Sequence, residues 1–231
     1  MLTINNLTKT FNTNIAIQIE HLHIHNKEIV GLVGNNGAGK TTLFRLILDL
    51  YETDNGFVES KGRNIAKCED WKNYTGAFID EGFLIEFLTP EEYFYFIGEC
   101  NGLSKSNVDE RLQDFGKFMG EEILGKKKYI YAFSMGNKQK IGIIGAMLKH
   151  PEILILDEPF NYLDPSSQIE MKRLLVDFNQ KYGTTMILSS HNLEHITDVS
   201  TRILLLEKGK LISDIKNFDN SAILELKNYF E

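Results

Sequence analysis

The chain has 231 residues, 25 Lys and Arg against 32 Asp and Glu, and a formal net charge of −7. That length supports a core that folds without staples, and the acidic balance opposes non-specific binding to nucleic acid or acidic lipid. Cys68 and Cys100 fit neither a metal-ligand spacing nor a disulfide framework.

Three short β-rich segments come first, LTINNLTKTF, IAIQIEHLHIH and EIVGLVG, separated by turn clusters of Asn, Lys and Thr. His21, His23 and His25 share one face of the second, and a solvated strand face is the expected reading rather than a metal site. From Thr42 to Leu50 the residues Leu43, Leu46, Ile47 and Leu50 recur at helical spacing, and ETDNG ends that element. Short strands return over 56–80. At TPEE, Thr89 offers an N-cap, Pro90 a first helical residue and Glu92 a capping-box partner, and helix dominates from there to about Lys149.

Within that stretch Phe83, Phe87, Tyr93, Phe94, Tyr95 and Phe96 form an aromatic-rich run for which core packing is the default, but the four consecutive ones cannot all face inward, so some are expected to line a surface groove. Lys126, Lys127 and Lys128 read as a solvated turn. The runs LKHPEILILDEP and GTTMILSSH then restore strands of the continuous apolar kind that sheets covered on both faces require. Strands alternating with helices predict one α/β domain over 1–231, its core formed by 1–82 and 151–231 and its mainly helical part, 83–150, inserted. No apolar run reaches the ~20 residues that span a bilayer. The start, MLTINNLTKTFNTN, lacks the features of a signal peptide, so a cytoplasmic location is expected.

Residues 34–42, GNNGAGKTT, contain G-x-x-x-x-G-K-T between a strand and a helix, the context that makes this pattern a phosphate cradle. Gly34, Gly37 and Gly39 let the backbone approach phosphate, Lys40 supplies a cation and Thr41 a hydroxyl for magnesium. ILILDE at 153–158 delivers Asp157 and Glu158 at the carboxyl end of a strand, where open α/β sheets bind ligands. Asp157 is placed to hold magnesium and Glu158 to act as general base toward the attacking water. His191 closes a second apolar strand and is expected near the phosphates.

In order, GNNGAGKTT, FSMGN, ILILDEP, NYLDP and His191 resemble the ATP-binding subunit of an ABC transporter over nearly the whole chain. The resemblance implies a P-loop NTPase core of RecA-like type with an N-terminal antiparallel β subdomain and a helical insertion. It implies ATP and magnesium as ligands, and Asn35, Asn36, Gly37, Ala38, Gly39, Lys40, Thr41 and Thr42 as the nucleotide-binding turn. In such a protein FSMGN is the signature, whose Ser134 and Gly136 reach the nucleotide held by a second copy in a head-to-tail homodimer. Its usual form is Leu-Ser-Gly-Gly-Gln, so Phe133, Met135 and Asn137 depart from it. Asp164 of NYLDP is expected at the dimer seam, and Phe11 at the place of an aromatic that stacks on adenine.

The resemblance puts Asp80, in GAFIDEGFL, where the family usually has a Gln that senses magnesium and the attacking water. An ionised carboxylate accepts hydrogen bonds but donates none, so coupling to a partner is expected to be tuned differently. Asp80 together with the FSxG-type signature resembles the bacterial branch that exports, or confers immunity to, antimicrobial peptides and drugs. The implied partner is an integral membrane permease gripped near residues 80–96, which would hold the chain at the inner face of the membrane. An ATPase of the same type serving a ribosome or DNA repair is the competing reading. A solitary P-loop kinase or GTPase leaves FSMGN and His191 unexplained, and NKQK lacks the Asp of a guanine-reading motif.

Overall fold

The computed structural model describes residues 1–217 and Leu226. In chain order it comprises β1 (Leu2–Phe11), β2 (Asn14–Ile24), β3 (Ile29–Val33), α1 (Lys40–Ile47), β4 (Asn55–Ser60), β5 (Arg63–Asn64) and β6 (Thr75–Phe78). There follow α2 (Pro90–Cys100), α3 (Lys105–Leu112), α4 (Gly116–Met119), α5 (Met135–Met147), β7 (Ile153–Leu156), α6 (Pro165–Tyr182), β8 (Thr185–Ser190), α7 (Leu193–Thr197), β9 (Arg202–Glu207) and β10 (Lys210–Lys216).

Two sheets result. The first is antiparallel, in the order β2-β1-β4-β5, and the second has the order β10-β9-β3-β8-β7-β6. In the second, β3, β6, β7, β8 and β9 run parallel and β10 pairs antiparallel at one edge. Successive residues of a strand point to opposite faces, so an all-apolar strand serves two cores. Ile153 and Ile155 of β7 pack with α1 and the antiparallel sheet, whereas Leu154 and Leu156 pack with the helices on the other side. This is why ILIL is apolar at every position.

The strands and helices expected from the pattern form close to where it places them. Helix α1 stops at Ile47 rather than Leu50, because Asp49 takes a left-handed φ of 52° and leaves Leu50 exposed. Helix α2 starts with the full capping box: the Thr89 hydroxyl accepts from Glu92 N–H at 3.3 Å and Glu92 Oε2 from Thr89 N–H at 2.8 Å. Of its four consecutive aromatics, Tyr93 and Phe94 are buried and Phe96 is exposed. On β2, His21 Nδ1 lies 3.1 Å from Asn5 Oδ1 and His23 Nδ1 3.0 Å from Thr3 Oγ1, across the hairpin with β1.

The helical stretch enters between β6 and β7, which are neighbours in the sheet. Its last helix, α5, lies directly on that sheet: a Cβ at Gly142 would come within 2.1 Å of the Phe78 ring, so only glycine permits this approach. Helix α5 therefore stands on the strand layer that carries Asp157. Among the described residues no helix is long and apolar enough to cross a membrane.

Candidate functional site

The glycine-rich turn read as a phosphate cradle begins where β3 ends. Gly37 (φ 81°) and Gly39 (φ 109°) bend residues 34–39 into the start of α1, whose first N–H groups have no partner within the helix. A Cβ added at Gly37 would meet nothing within 4 Å, so the loop borders open space. That space is a cleft of about 260 Å³ lined by Ala16, Asn36, Gly37, Ala38, Gly39, Lys40, Thr41, Thr42, Asp157 and Glu158. Lys40 is buried, and its Nζ donates to the Gly34 carbonyl at 2.7 Å. Helix N-terminus and ammonium together favour an anion.

Strand β7 carries the acids to the same cleft. The hydroxyls of Thr41 and Ser189 both donate to the Asp157 carboxylate. Burial pushes the Asp157 carboxyl above its usual pKa despite these two hydrogen bonds. A hydroxyl beside a carboxylate is a hard oxygen donor set suited to magnesium. Glu158 takes a left-handed φ of 47°. Its Oε1 lies 3.6 Å from Lys40 Nζ, and its Oε2 lies 2.9 Å from His191 Nδ1 and accepts from His191 N–H at 3.3 Å. Cation, carboxylate and imidazole thus converge from the start of α1 and the ends of β7 and β8, an arrangement able to bind a phosphate and to take a proton from water beside it.

A second cleft, of about 420 Å³, is lined by Glu122, Ser134, Met135, Gly136, Asn137, Lys140, Tyr162, Leu163 and Asp164. Ser134 is the N-cap of α5, its hydroxyl accepting from Asn137 N–H at 3.3 Å. Gly136 is pressed on the loop between β7 and α6, since a Cβ there would stand 2.6 Å from the Tyr162 carbonyl oxygen. Asp164 caps α6 by accepting from the N–H groups of Ser166 and Ser167, both at 3.0 Å. The hydroxyls of these serines and their N–H groups hold its carboxyl well below the usual range.

Of the expected residues, His191, Asn35, Phe11 and Asp80 line neither cleft, and His191 reaches the first through its contact with Glu158. Asn35 sits at the base of the turn, its carbonyl accepting from Ala38 N–H at 3.0 Å. Phe11 is exposed at the end of β1, edge-on to Tyr51 with ring centroids 5.5 Å apart. Asp80 does not join Thr41 and Asp157: its carboxylate accepts from Gly82 N–H at 2.8 Å and pairs with Arg45 at 3.3 Å. Arg45 in turn donates to Tyr51 Oη at 2.6 Å. Ala16, Gln139 and Ser189 also reach the site, and of these only Ser189, two residues before His191 on the same apolar run, left a trace in the pattern of the chain.

The family model described as ABC transporter matches residues 18–161. The chain is 34% identical over 212 residues to the ABC transporter ATP-binding protein YhaQ of Bacillus subtilis, covering 91% of this chain and 69% of that one. It is 33% identical over 212 residues to the bacitracin transport ATP-binding protein BcrA of Enterococcus faecalis, covering 91% and 67%. Its fold matches the dimeric structure of MJ0796, a bacterial ABC transporter cassette, with a TM-score of 0.84, 22% identity and coverage of 94% and 99%. A post-hydrolysis structure of that cassette bound to ADP and Pi matches with the same score. With a glycine-rich turn facing two acids on a P-loop NTPase fold, the chain belongs to the ABC transporter family, as a nucleotide-binding ATPase subunit.

Proposed function

We propose that two copies of this chain close head-to-tail over two ATP molecules and thereby drive a separate membrane permease, exporting a drug, an antimicrobial peptide or a similar toxic compound. The observation that carries this reading is the presence of two separate clefts on one chain. One holds the P-loop, Asp157 and Glu158; the other holds Ser134 and Gly136. A single nucleotide needs one cradle, and the second has a use when it meets the nucleotide of another copy.

In each site Lys40 and the α1 N-terminus hold the terminal phosphates, and Thr41 and Asp157 hold magnesium, which when bound supplies charge neutralisation at the phosphates. Glu158 accepts the proton of the attacking water, and His191 keeps the carboxylate oriented toward it. The chain works as one ATPase domain, with 83–150 as its inserted helical part. Binding of ATP favours the closed pair and hydrolysis releases it, and the permease follows because its states bind open and closed pairs differently.

The permease docks on the aromatic face beside Asp80. Phe83, Phe87, Tyr129 and Tyr131 are all exposed there. The two segments are laced together by Tyr131 N–H to the Glu86 carbonyl at 3.0 Å and Ile130 N–H to the Leu88 carbonyl at 2.8 Å. Exposed aromatic clusters of this kind mark interaction sites. Such a partner places the chain at the inner face of the membrane. The substrate class draws support from the bacitracin transport relative.

The test is affinity purification of tagged Glu158→Gln protein from detergent-solubilised native membranes in the presence of ATP. A multi-spanning membrane protein in stoichiometric amount is the expected companion. Ribosomal or DNA-repair components without a permease would overturn the transporter assignment.

A further inference from the structure

Glu158 is not glycine, yet its backbone sits at φ 47°, in a region that side chains with a Cβ seldom occupy. Such a conformation persists where surrounding contacts over-determine it. Both polar groups of this residue's backbone are held by buried side chains. The Glu158 N–H donates to Ser189 Oγ at 2.8 Å, and the Glu158 carbonyl accepts from Gln139 Nε2 at 3.2 Å and from Asn161 N–H at 3.1 Å.

Ser189 is 0% exposed and Gln139 6%, so each of these polar groups has been withdrawn from water. The single Ser189 proton goes to the Asp157 carboxylate, which leaves its lone pair for the Glu158 N–H. Ser189 therefore fixes Asp157 and Glu158 relative to each other. Gln139 reaches the same peptide from α5, less than two turns after the Ser134 cap. Without these contacts a residue at Glu158 would relax toward an ordinary φ, and its carboxylate would leave the position between Lys40 and His191.

We infer that Ser189 and Gln139 are positioning residues for Glu158, holding its backbone in the left-handed conformation that aims the carboxylate, with Gln139 doing so from the helix that bears the signature. This rests on the reading of Glu158 as general base. Gln139 touches the Glu158 backbone and lies outside the lining of the phosphate cleft, so its effect falls on turnover and not on nucleotide affinity, whereas Ser189 also holds Asp157 and acts on both.

The test measures steady-state ATP hydrolysis, ATP binding and thermal unfolding of the full chain carrying Gln139→Met, Ser189→Ala or Ser189→Thr, with Glu158→Gln alongside. Gln139→Met keeps the volume and loses the donor, and Ser189→Thr keeps the hydroxyl on a strand that favours β-branched residues. The expected result is a kcat about 10- to 100-fold lower for Gln139→Met and Ser189→Ala, with KM for ATP and the unfolding midpoint unchanged in Gln139→Met, and recovery of kcat in Ser189→Thr. Wild-type kcat in both variants, or in Gln139→Met a lower kcat joined by a raised KM and a lower unfolding midpoint, would overturn the inference. Should Glu158→Gln itself turn over normally, the assignment of the base fails; should it be inactive while Gln139→Met and Ser189→Ala are normal, the positioning role alone fails.

Discussion

His191 Nδ1 lies 2.9 Å from Glu158 Oε2, and Lys40 Nζ lies 3.6 Å from the other oxygen of the same carboxylate. One acid thus ties together the start of α1 and the residues that follow β7 and β8, and its chemistry can be altered without changing its size. Glu158→Gln is expected to bind ATP while hydrolysing it about 10²- to 10⁴-fold more slowly, because an amide cannot take the proton. Phosphate release beside filter-bound nucleotide measures both quantities. Undiminished turnover would remove Glu158 from the role of base.

Lys40 is a buried cation whose hydrogen bond to the Gly34 carbonyl keeps it at the mouth of the cradle. Lys40→Ala is expected to lower ATP affinity at least about tenfold, consistent with charge-assisted contacts of roughly 1.5–3 kcal/mol. Titration with a fluorescent ATP analogue reads this directly. Equal affinity in the variant would show that phosphate is held elsewhere.

At the second cleft, Gly136→Ala would bring a Cβ to 2.6 Å from the Tyr162 carbonyl oxygen, a backbone atom that cannot rotate away. The expected cost is about 1–3 kcal/mol of stability from overpacking. Placed in the Glu158→Gln background, the same change is expected to abolish the ATP-dependent dimer on size-exclusion chromatography while each monomer still binds ATP. A dimer of normal strength would separate FSMGN from closure.

His150 offers a pH-dependent prediction. It stacks on Tyr182 at 4.0 Å between ring centroids and touches Phe178 edge-on at 5.6 Å. Its pKa is pushed down to about 4, first by burial and then by Arg111; Lys181 acts in the same sense and Asp114, 3.6 Å away, only partly opposes them. His150 is therefore neutral in the fold at pH values where the unfolded chain, with its pKa of 6.5, is already protonated. The unfolded state binds more protons, so stability is complete above pH 6.5 and falls as pH drops toward 4. With solvent screening of the partly exposed ring allowed for, this residue contributes about 1–2 kcal/mol to that fall. His150→Asn, which tolerates the φ of 53°, is expected to show a flatter decline in urea denaturation across that window. Parallel declines would assign the acid sensitivity to other groups.

Much of the site is legible in the amino-acid order because its signals are local. The cradle occupies nine consecutive residues, the acids follow directly on four apolar ones, and the Thr89 capping box spans four positions. Each depends on backbone geometry within a turn or two. The division of ILIL between two cores was likewise implied by its composition, since an unbroken apolar strand needs cover on both sides.

Which distant side chains meet is a different matter, and it is decided by the sheet. Thr41 and Asp157 are 116 residues apart, and Glu158 and His191 are 33. They converge because β3 and β7 flank β8 in parallel register, Val33 level with Ser190 and Leu156 with Leu188. Asp80 turns to Arg45, Phe11 to Tyr51, and Gln139 and Ser189 to the Glu158 backbone, and none of these choices is written in local spacing. A side chain's direction follows from the partners packed around it, and those partners come from remote parts of the chain. Strand ends, cradle and acids are encoded within short stretches of the chain; their company is settled by folding, because pairing and packing energies depend on contacts that exist only once the sheet has formed.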